Sequence, residues 1–518
     1  MKKLSLCIAA FALTACAYAQ KNTDPEKYAR YINAEDAKKH LSILASDEFE
    51  GRETGKPGAD KAANYIATEF KKLGLQAPVN GSYFLDVPLV ENSTKISFTL
   101  NDQTFTNGQD FYTRSSIANK SINAIEVVFV GYGTDAEIAN TDISGKILLW
   151  INEDKPEAGK TPNTSYRPST ARTQIIKNLQ SKNPALILAA NPEIAGMLKK
   201  FGSSVLGGRL TIKTDDAKPV SQLAAVVNIT TALADQLVKA SGKTFDALKT
   251  GAASATAPAQ SFKADIKVNV QIETKDVKAV DVLGYLPGTD LKDEVLVFSA
   301  HYDHIGLLSD PNAKDKVNNG ADDDGSGTTG ILEIARAFTE AKKDGHGPRR
   351  SILFLGNVGE EKGLLGSEYY TDHPVFPLAN TITDLNIDMI GRVGFEYIGK
   401  PDSANYVYTI GSAMLSKELH QINEDANKKY THIEQDYKYD DPNDPNRFYY
   451  RSDHYNFAKH GVPIIFYFNG VHADYHQPGD EVSKINFPLL AKRAQLVYYT
   501  GWELANRDKR PVVDAGTK

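Results

Sequence analysis

The sequence predicts an α/β fold with a mostly parallel central sheet flanked by helices, and three observations carry that reading. "DEVLVFSA" (293–300), "RSILFLGNVG" (350–359), "TDLNIDMIG" (383–391), "NYVYTIG" (405–411) and "VPIIFYFN" (462–469) are mostly near-continuous apolar runs, the pattern of strands covered on both faces. Helical patterns separate several of them, including "TTGILEIARAFTEAKK", and a last helix is expected from about Asn486 to Asn506. Side chains able to hold metal follow these runs repeatedly, at the carboxyl edge where such sheets bind ligands.

Taken in order, the chain opens on "MKKLSLCIAAFALTACAYAQ". Two lysines precede an apolar run from Leu4 to about Ala15, and Ala17-Tyr18-Ala19 offers a small-x-small cleavage site. The run is shorter than the roughly 20 residues of a bilayer-spanning helix, so 1–19 is expected to be a secretory signal peptide. Leu13-Thr14-Ala15-Cys16 resembles a bacterial lipobox, and anchorage through a lipidated Cys16 is the alternative to release after Ala19. Both cysteines, Cys7 and Cys16, lie in this leader. The exported remainder therefore has no disulfide, and any metal in it must be held by His, Asp and Glu.

Two helices are expected between Ala34 and Leu75, "AEDAKKHLSILAS" and "GADKAANYIATEFKKLGL", with Gly74 at a helix stop. The glycine-rich "DEFEGRETGKPG" between them reads as a polar loop. In the middle, "AIEVVFVGYG" (124–133), "KILLWI" (146–151) and "PALILAAN" (184–191) read as strands and "STARTQIIKNLQS" (169–181) as a helix. "AAVVNI" then leads to the helix "TALADQLVKA". No histidine lies between His40 and His301, so this stretch carries no imidazole chemistry. We read roughly 91–270 as an inserted or appended module without catalysis of its own, closed by an Ala/Ser/Thr-rich hinge at 251–261. "ADIKVNVQIET" then alternates apolar and polar, as a half-buried strand does.

The whole chain has 518 residues, 41% hydrophobic and 24% charged, an ordinary globular composition with ample core. A formal net charge of −6 gives no electrostatic case for nucleic acid or an anionic membrane as partner.

The chemistry gathers at strand ends. "LVFSA" runs into His301-Tyr302-Asp303-His304, "ILFLGNVG" into Glu360-Glu361, and "LNI" into Asp388. "FYFNG" leads by a short loop to Tyr475 and His476 in "ADYHQPGD", and "GADDDGSG" (320–327) lies between the first two strands. A single acid after a strand often caps the next helix. Four strand ends that each deliver a ligand type are not explained that way, because buried carboxylates are costly unless paired or metal-bound.

"SAHYDHIG", "NNGADDDGSGTTG", "NVGEEKGLLGSEYY", "LNIDMIGR", "RSDHYNF" and "DYHQPGDE", in this order, resemble the M28 zinc metallopeptidases, the co-catalytic di-zinc aminopeptidases. The resemblance covers roughly 35–85 and 275–510, and the middle segment resembles the protease-associated (PA) domain that many members carry as an insert. It implies a phosphorylase/hydrolase-like zinc exopeptidase fold over 20–90 and 271–518, with a PA-like domain over 91–270. It also implies two Zn²⁺ per chain, with His301 and Asp388 on one ion, Glu361 and His476 on the other, and Asp323 bridging both. Asp303 would orient the His301 imidazole, and the peptide bond after Asp323 would be cis. Glu360 would move the proton and Tyr475 would donate to the oxyanion, on peptides with a free N-terminus.

Asp322 and Asp324 read as capping or supporting carboxylates, and Ser326 and Thr328 as helix-start residues. His304 falls off the motif and reads as a loop hydrogen-bonding residue. Arg451 and Asp453 are candidate substrate contacts, with a structural role as the alternative. The Tyr- and acid-rich stretch 436–455 is expected to rim the pocket, with calcium binding at 440–446 or a plain solvated loop as alternatives. A carboxypeptidase or dipeptidase, a glutaminyl cyclase using one zinc, and a receptor-like binding protein are the competing functions. The complete double ligand set speaks against the last two.

Overall fold

The computed structural model describes residues 24–113, 119–201, 208–214, 223–254, 258–308, 310 and 312–514. The leader, its cleavage site and Cys16 lie outside the described residues. No helix among the described residues is long and apolar enough to cross a membrane.

The first two helices form where their patterns place them, α1 over Ala34–Leu44 and α2 over Pro57–Leu73. Asn33 caps α1 by accepting from the amides of Glu35 and Asp36, and Gly74 ends α2 in the left-handed conformation at φ 81°. The sheet elements that matter here are β1 (Phe84–Leu100), β2 (Gln260–Leu286), β3 (Leu291–His301), β4 (Arg350–Asn357), β5 (Thr381–Ile387), β6 (Tyr406–Ile410) and β7 (Ile464–Phe468). Helix α3 (Gly325–Lys343) follows β3, α4 (Leu365–Asp372) follows β4, α5 (His454–Lys459) precedes β7, and α6 (Phe487–Asn506) closes the chain.

Across the sheet the order is β6-β7-β5-β3-β4-β2, and the four strands β7, β5, β3 and β4 run parallel. β6 and β2 flank them antiparallel. Along β3, Leu296, Phe298 and Ala300 enter one core with the helices α1, α2, α3 and α6, while Val295 and Val297 enter another with Tyr370 and Phe457. That two-period split is why the strand reads as an unbroken apolar run: both faces are covered. Each fully buried side chain of this size contributes roughly 1.5–3 kcal/mol.

β1 and β2 form a long antiparallel ribbon, in register from Phe84↔Val282 to Leu100↔Ile266. Lys120–Phe129 pairs with the far half of β2, and Ile147–Ile151, Leu186–Ala190 and Val226–Ile229 follow in parallel around a separate apolar core. The expected boundaries at 90 and 271 fall inside this paired ribbon. The expected hinge is corrected in part. Gly251–Ser254 complete the helix Phe245–Ser254, and Gln260 already belongs to β2. Alanine-rich sequence favours helix, so composition alone misreads that junction.

One titration is built into this layer. Glu333 of α3 is fully buried, with its carboxylate accepting from the Asn33 amide at 3.3 Å and standing 3.5 Å from His40 Nε2. Burial pushes its pKa up to about 7, with Arg336, Asp36 and Lys39 as the neighbouring charges. Between the ordinary glutamate value and 7 the folded state keeps a proton that the unfolded chain has lost. Stability therefore falls as pH rises through that window, by up to roughly 3 kcal/mol. Glu333→Gln is expected to match the parent at pH 4.5 and to be more stable at pH 8, checked by urea denaturation at both pH values.

Candidate metal centre

The carboxyl ends of β3, β4, β5 and β7 converge. His301 is the last residue of β3 and is 1% exposed. Its Nε2 lies 3.3 Å from Asp323 Oδ1, 3.7 Å from Asp388 Oδ2 and 3.9 Å from Glu360 Oε2, yet it makes no hydrogen bond. Beside it, His476 Nε2 stands 3.0 Å from Asp323 Oδ2 and 3.1 Å from Glu361 Oε2. The two oxygens of Asp323 thus face two separate sets of donors. Four donors about 2.0–2.1 Å from a single cation stand roughly 3.3–3.5 Å apart, so Asp323 at 3.3 Å and Asp388 at 3.7 Å from His301 Nε2 lie nearer the spacing of a metal's ligands than that of hydrogen-bond partners. An orphaned, buried imidazole nitrogen among three carboxylates fits a divalent ion of the zinc type.

The three aspartates divide their work. Asp323 supplies both oxygens to the centre. Asp324 caps α3, with Oδ1 accepting from Gly327 N at 2.8 Å and from Met389 N at 3.0 Å. Asp322 Oδ1 accepts from Gly391 N at 2.7 Å and from Ser326 Oγ at 3.1 Å. The two outer carboxylates therefore staple the loop carrying Asp388 to the loop carrying Asp323. The Asp323–Asp324 peptide bond is cis. Met389 and His476 hold left-handed backbone at φ 60° and 56°, a conformation that costs a non-glycine residue of order 1–3 kcal/mol and that clusters at functional sites.

Asp303 sits differently from the expectation. The His301 Nδ1 contact is to the main-chain oxygen of Asp303 at 3.1 Å, while the carboxylate stands 3.8 Å off. That carboxylate instead accepts from Thr54 Oγ1 at 2.6 Å and from the Glu360 amide at 3.2 Å. Tyr475 stacks on His476 with ring centroids 3.9 Å apart, and its hydroxyl accepts from Arg451 Nη2 at 3.2 Å. Arg451 is exposed at the rim of this group. Asp453 is not at the rim: it is fully buried and accepts from Ser367 Oγ at 2.5 Å, because it opens α5 behind the strand ends.

His304 is drawn into the centre rather than left to its own loop. Its Nδ1 lies 2.8 Å from Glu361 Oε1 and 3.9 Å from Asp323 Oδ2, and its Nε2 is buried without a partner. Among the described residues two donor groups meet the spacing for holding an ion, His301–Asp323–Asp388 and His304–Asp323–Glu361, and they share Asp323. Arg52 is a second residue that pattern reading passes over. It is 1% exposed and donates to four carbonyls, those of Leu44, Tyr302, Asn319 and Gly320.

The electrostatics follow the geometry. Burial would raise Glu361, but hydrogen bonds from His304 and His476 hold it down at about 2. Burial would lower His476, but Asp323 and Glu361 push it up to about 10. Glu360 meets no such donor among the described residues: burial, joined by the Glu361 and Asp388 charges and opposed by His301, carries it well above the usual carboxylate range. Burial likewise raises the Tyr475 phenol, which stays protonated and able to donate.

Residues 281–501 match the profile of peptidase family M28. Among curated relatives, leucine aminopeptidase 2 of Trichophyton equinum is 26% identical over 269 residues, 47% of this chain and 48% of its own length. Aminopeptidase YwaD of Bacillus subtilis (strain 168) is 26% identical over 247 residues, 45% of this chain and 46% of its own. The chain thus spans about half the length of these relatives. The solved aminopeptidase from Aneurinibacillus sp. strain AM-1 superposes with a TM-score of 0.57 at 19% identity, covering 95% of this chain and 98% of that one. BSAP, a zinc aminopeptidase from Bacillus subtilis, gives 0.53 at 18% identity over 94% and 99%. At these identities the two structures establish the shared fold.

Proposed function

We propose that this chain, whose residues 281–501 form a peptidase family M28 domain, is a metal-dependent aminopeptidase that holds two zinc ions. The observation that carries the reading is the orphaned His301 Nε2, 3.3 Å from Asp323 Oδ1 and 3.7 Å from Asp388 Oδ2, with the other oxygen of Asp323 facing His476 and Glu361. His301 and Asp388 would hold one ion and Glu361 and His476 the other, with Asp323 offering an oxygen to each. His304 supports the second set through Glu361. The names of the curated relatives, leucine aminopeptidase and aminopeptidase, favour release of N-terminal residues over the alternatives.

When bound there, zinc would supply a water of pKa near 7 and a Lewis acid for the scissile carbonyl. Glu360 adjoins this point without belonging to either ligand set. Its raised pKa suits a group that takes a proton from the attacking water and returns it to the departing amine. Its main chain is fixed by the Asp303 carboxylate, which keeps Glu360 and His301 in a constant relation. Tyr475 turns its proton toward the developing oxyanion, since its contact with Arg451 uses the phenol as acceptor. Arg451 steadies that phenol at the rim. Asp453 supports from behind and does not touch substrate. The basic, apolar, small-x-small leader supports export, by cleavage near Ala19 or with a lipid anchor at Cys16. The module over 91–270 is PA-like in this reading and, having no histidine, offers no imidazole to the centre.

Leucyl, lysyl and glutamyl arylamides test the proposal against their N-acetylated forms, with zinc counted per chain by elemental analysis. We expect two zinc ions, activity lost on chelation and restored by zinc, and blocked substrates slower by on the order of 10²-fold or more. Equal rates on free and blocked substrates overturn the aminopeptidase assignment.

A further inference from the structure

Asp480 lies four positions after His476 in "DYHQPGDE" and belongs to neither ligand set. It is fully buried. One of its oxygens, Oδ2, accepts two successive main-chain amides, Asp322 N at 2.9 Å and Asp323 N at 3.1 Å. Its own carbonyl accepts a third, from Ala321 N at 3.0 Å. Three consecutive residues of the triple-aspartate loop are therefore fastened to one residue of the loop that presents His476.

We infer that Asp480 is a positioning residue: it locks the loop of Asp323 to the loop of His476, so that the bridging carboxylate and the imidazole meet at one point. The inference rests on the two-metal reading above. Its physical basis is geometric. His476 Nε2 and Asp323 Oδ2 are 3.0 Å apart although their residues are 153 positions apart in sequence (476 − 323), and nothing covalent fixes that distance. Two glycines, Gly320 and Gly325, flank the aspartates and leave their backbone little intrinsic stiffness. Two charge-assisted hydrogen bonds to a buried carboxylate supply it.

The partners of Asp480 on its other side point the same way. Arg392 Nη1 lies 3.5 Å and His472 Nε2 4.0 Å from its Oδ1, and His472 Nε2 also stands 3.1 Å from Asp322 Oδ2. Arg392 follows the stapled Gly391 segment and also pairs with Asp474 at 2.8 Å. Asp480 is thus the junction through which the loops of Asp323, Asp388 and His476 share one frame. Groups that orient metal ligands in this indirect manner change metal affinity or activity by about 10–100-fold when removed.

Asp480→Asn and Asp480→Leu separate the role from general stability. Asparagine keeps an acceptor oxygen for the two amides, whereas leucine fills the space and accepts nothing. In the full-length protein, zinc dissociation measured by competition with a chromophoric chelator is expected to weaken about 10–100-fold in the leucine variant and less than about 3-fold in the asparagine variant. Should the leucine variant not fold, Asp480→Ala takes its place with the same expectation. Wild-type zinc affinity in the folded leucine or alanine variant, or equal losses in both variants, overturns the inference. A second readout needs no metal: the amides of Asp322 and Asp323 should exchange faster in metal-free Asp480→Leu than in metal-free wild type. A wild type that binds no zinc would sink the two-metal reading, while unchanged exchange at these amides would sink the role of Asp480 by itself.

Discussion

Glu360→Gln is expected to lower kcat on a leucyl arylamide by about 10²–10⁴-fold while KM and zinc content stay near the parent values. The substitution is nearly isosteric and removes only the ability to take up a proton. Glu360 Oε2 is 3.9 Å from His301 Nε2 and meets no hydrogen-bond donor among the described residues, whereas adjacent Glu361 is held by His304 and His476. Neighbours in sequence thus face different surroundings, one carboxylate pinned as an anion and the other carried upward by burial. Divergent environments for paired carboxylates are the usual mark of divided acid–base roles. Steady-state kinetics with metal analysis on one preparation checks this. Turnover within a few-fold of the parent would remove Glu360 from the proton transfer, and loss of zinc would make it a ligand instead.

How much of this was legible depends on whether a residue's role is set by the element it ends. His301 ends β3 and Asp388 directly follows β5, so recognising those runs as strands also places both side chains at the carboxyl edge, while Glu361 comes four positions after β4 ends at Asn357, in the loop that leaves the same edge. The helices α1, α2 and α3 were equally readable, because their periodicity is joined by a cap or stop residue at one end, Asn33 before α1, Gly74 after α2 and Asp324 before α3. Arg52 and Asp480 were not. Three of the four Arg52 bonds span 250 to 268 positions and those of the Asp480 carboxylate span 157 and 158, and nothing in "DEFEGRETGKPG" or "HQPGDE" states what will fold against them. His304 shows the same limit at short range. Its spacing from His301 is visible, but the side that its ring faces is decided by Glu361, 57 positions away. Asp453 errs in the opposite sense. Its motif sits near the pocket in sequence, and packing of α5 against Ser367 turns it inward.

Arg52→Met is expected to destabilise the protein by about 3–5 kcal/mol, more than the loss of any one of the candidate ligands in the metal-free chain. The guanidinium reaches four carbonyls at 2.6 to 2.8 Å, from α1 (Leu44), from the residue after β3 (Tyr302) and from the run into the triple aspartates (Asn319 and Gly320). Methionine of similar length fills the volume and leaves four buried acceptors without donors, each a desolvation cost that a merely apolar core residue would not incur. A buried charge is also lost. Burial lowers the guanidinium's pKa while Asp323, Asp324, Asp303 and Asp480 oppose that shift, so Arg52 is a standing counter-charge beneath the acidic loop. Removing it sharpens the repulsion among those carboxylates. Arg52→Lys keeps the charge but reaches fewer carbonyls, so it should fall between the parent and methionine. Guanidinium chloride is unsuitable here because its ions screen the effect, so the check is urea denaturation at pH 7 with chelator present. A methionine variant within 1 kcal/mol of the parent would mean that the four carbonyls find other donors, and that the loops of His301 and Asp323 are joined by something other than this side chain.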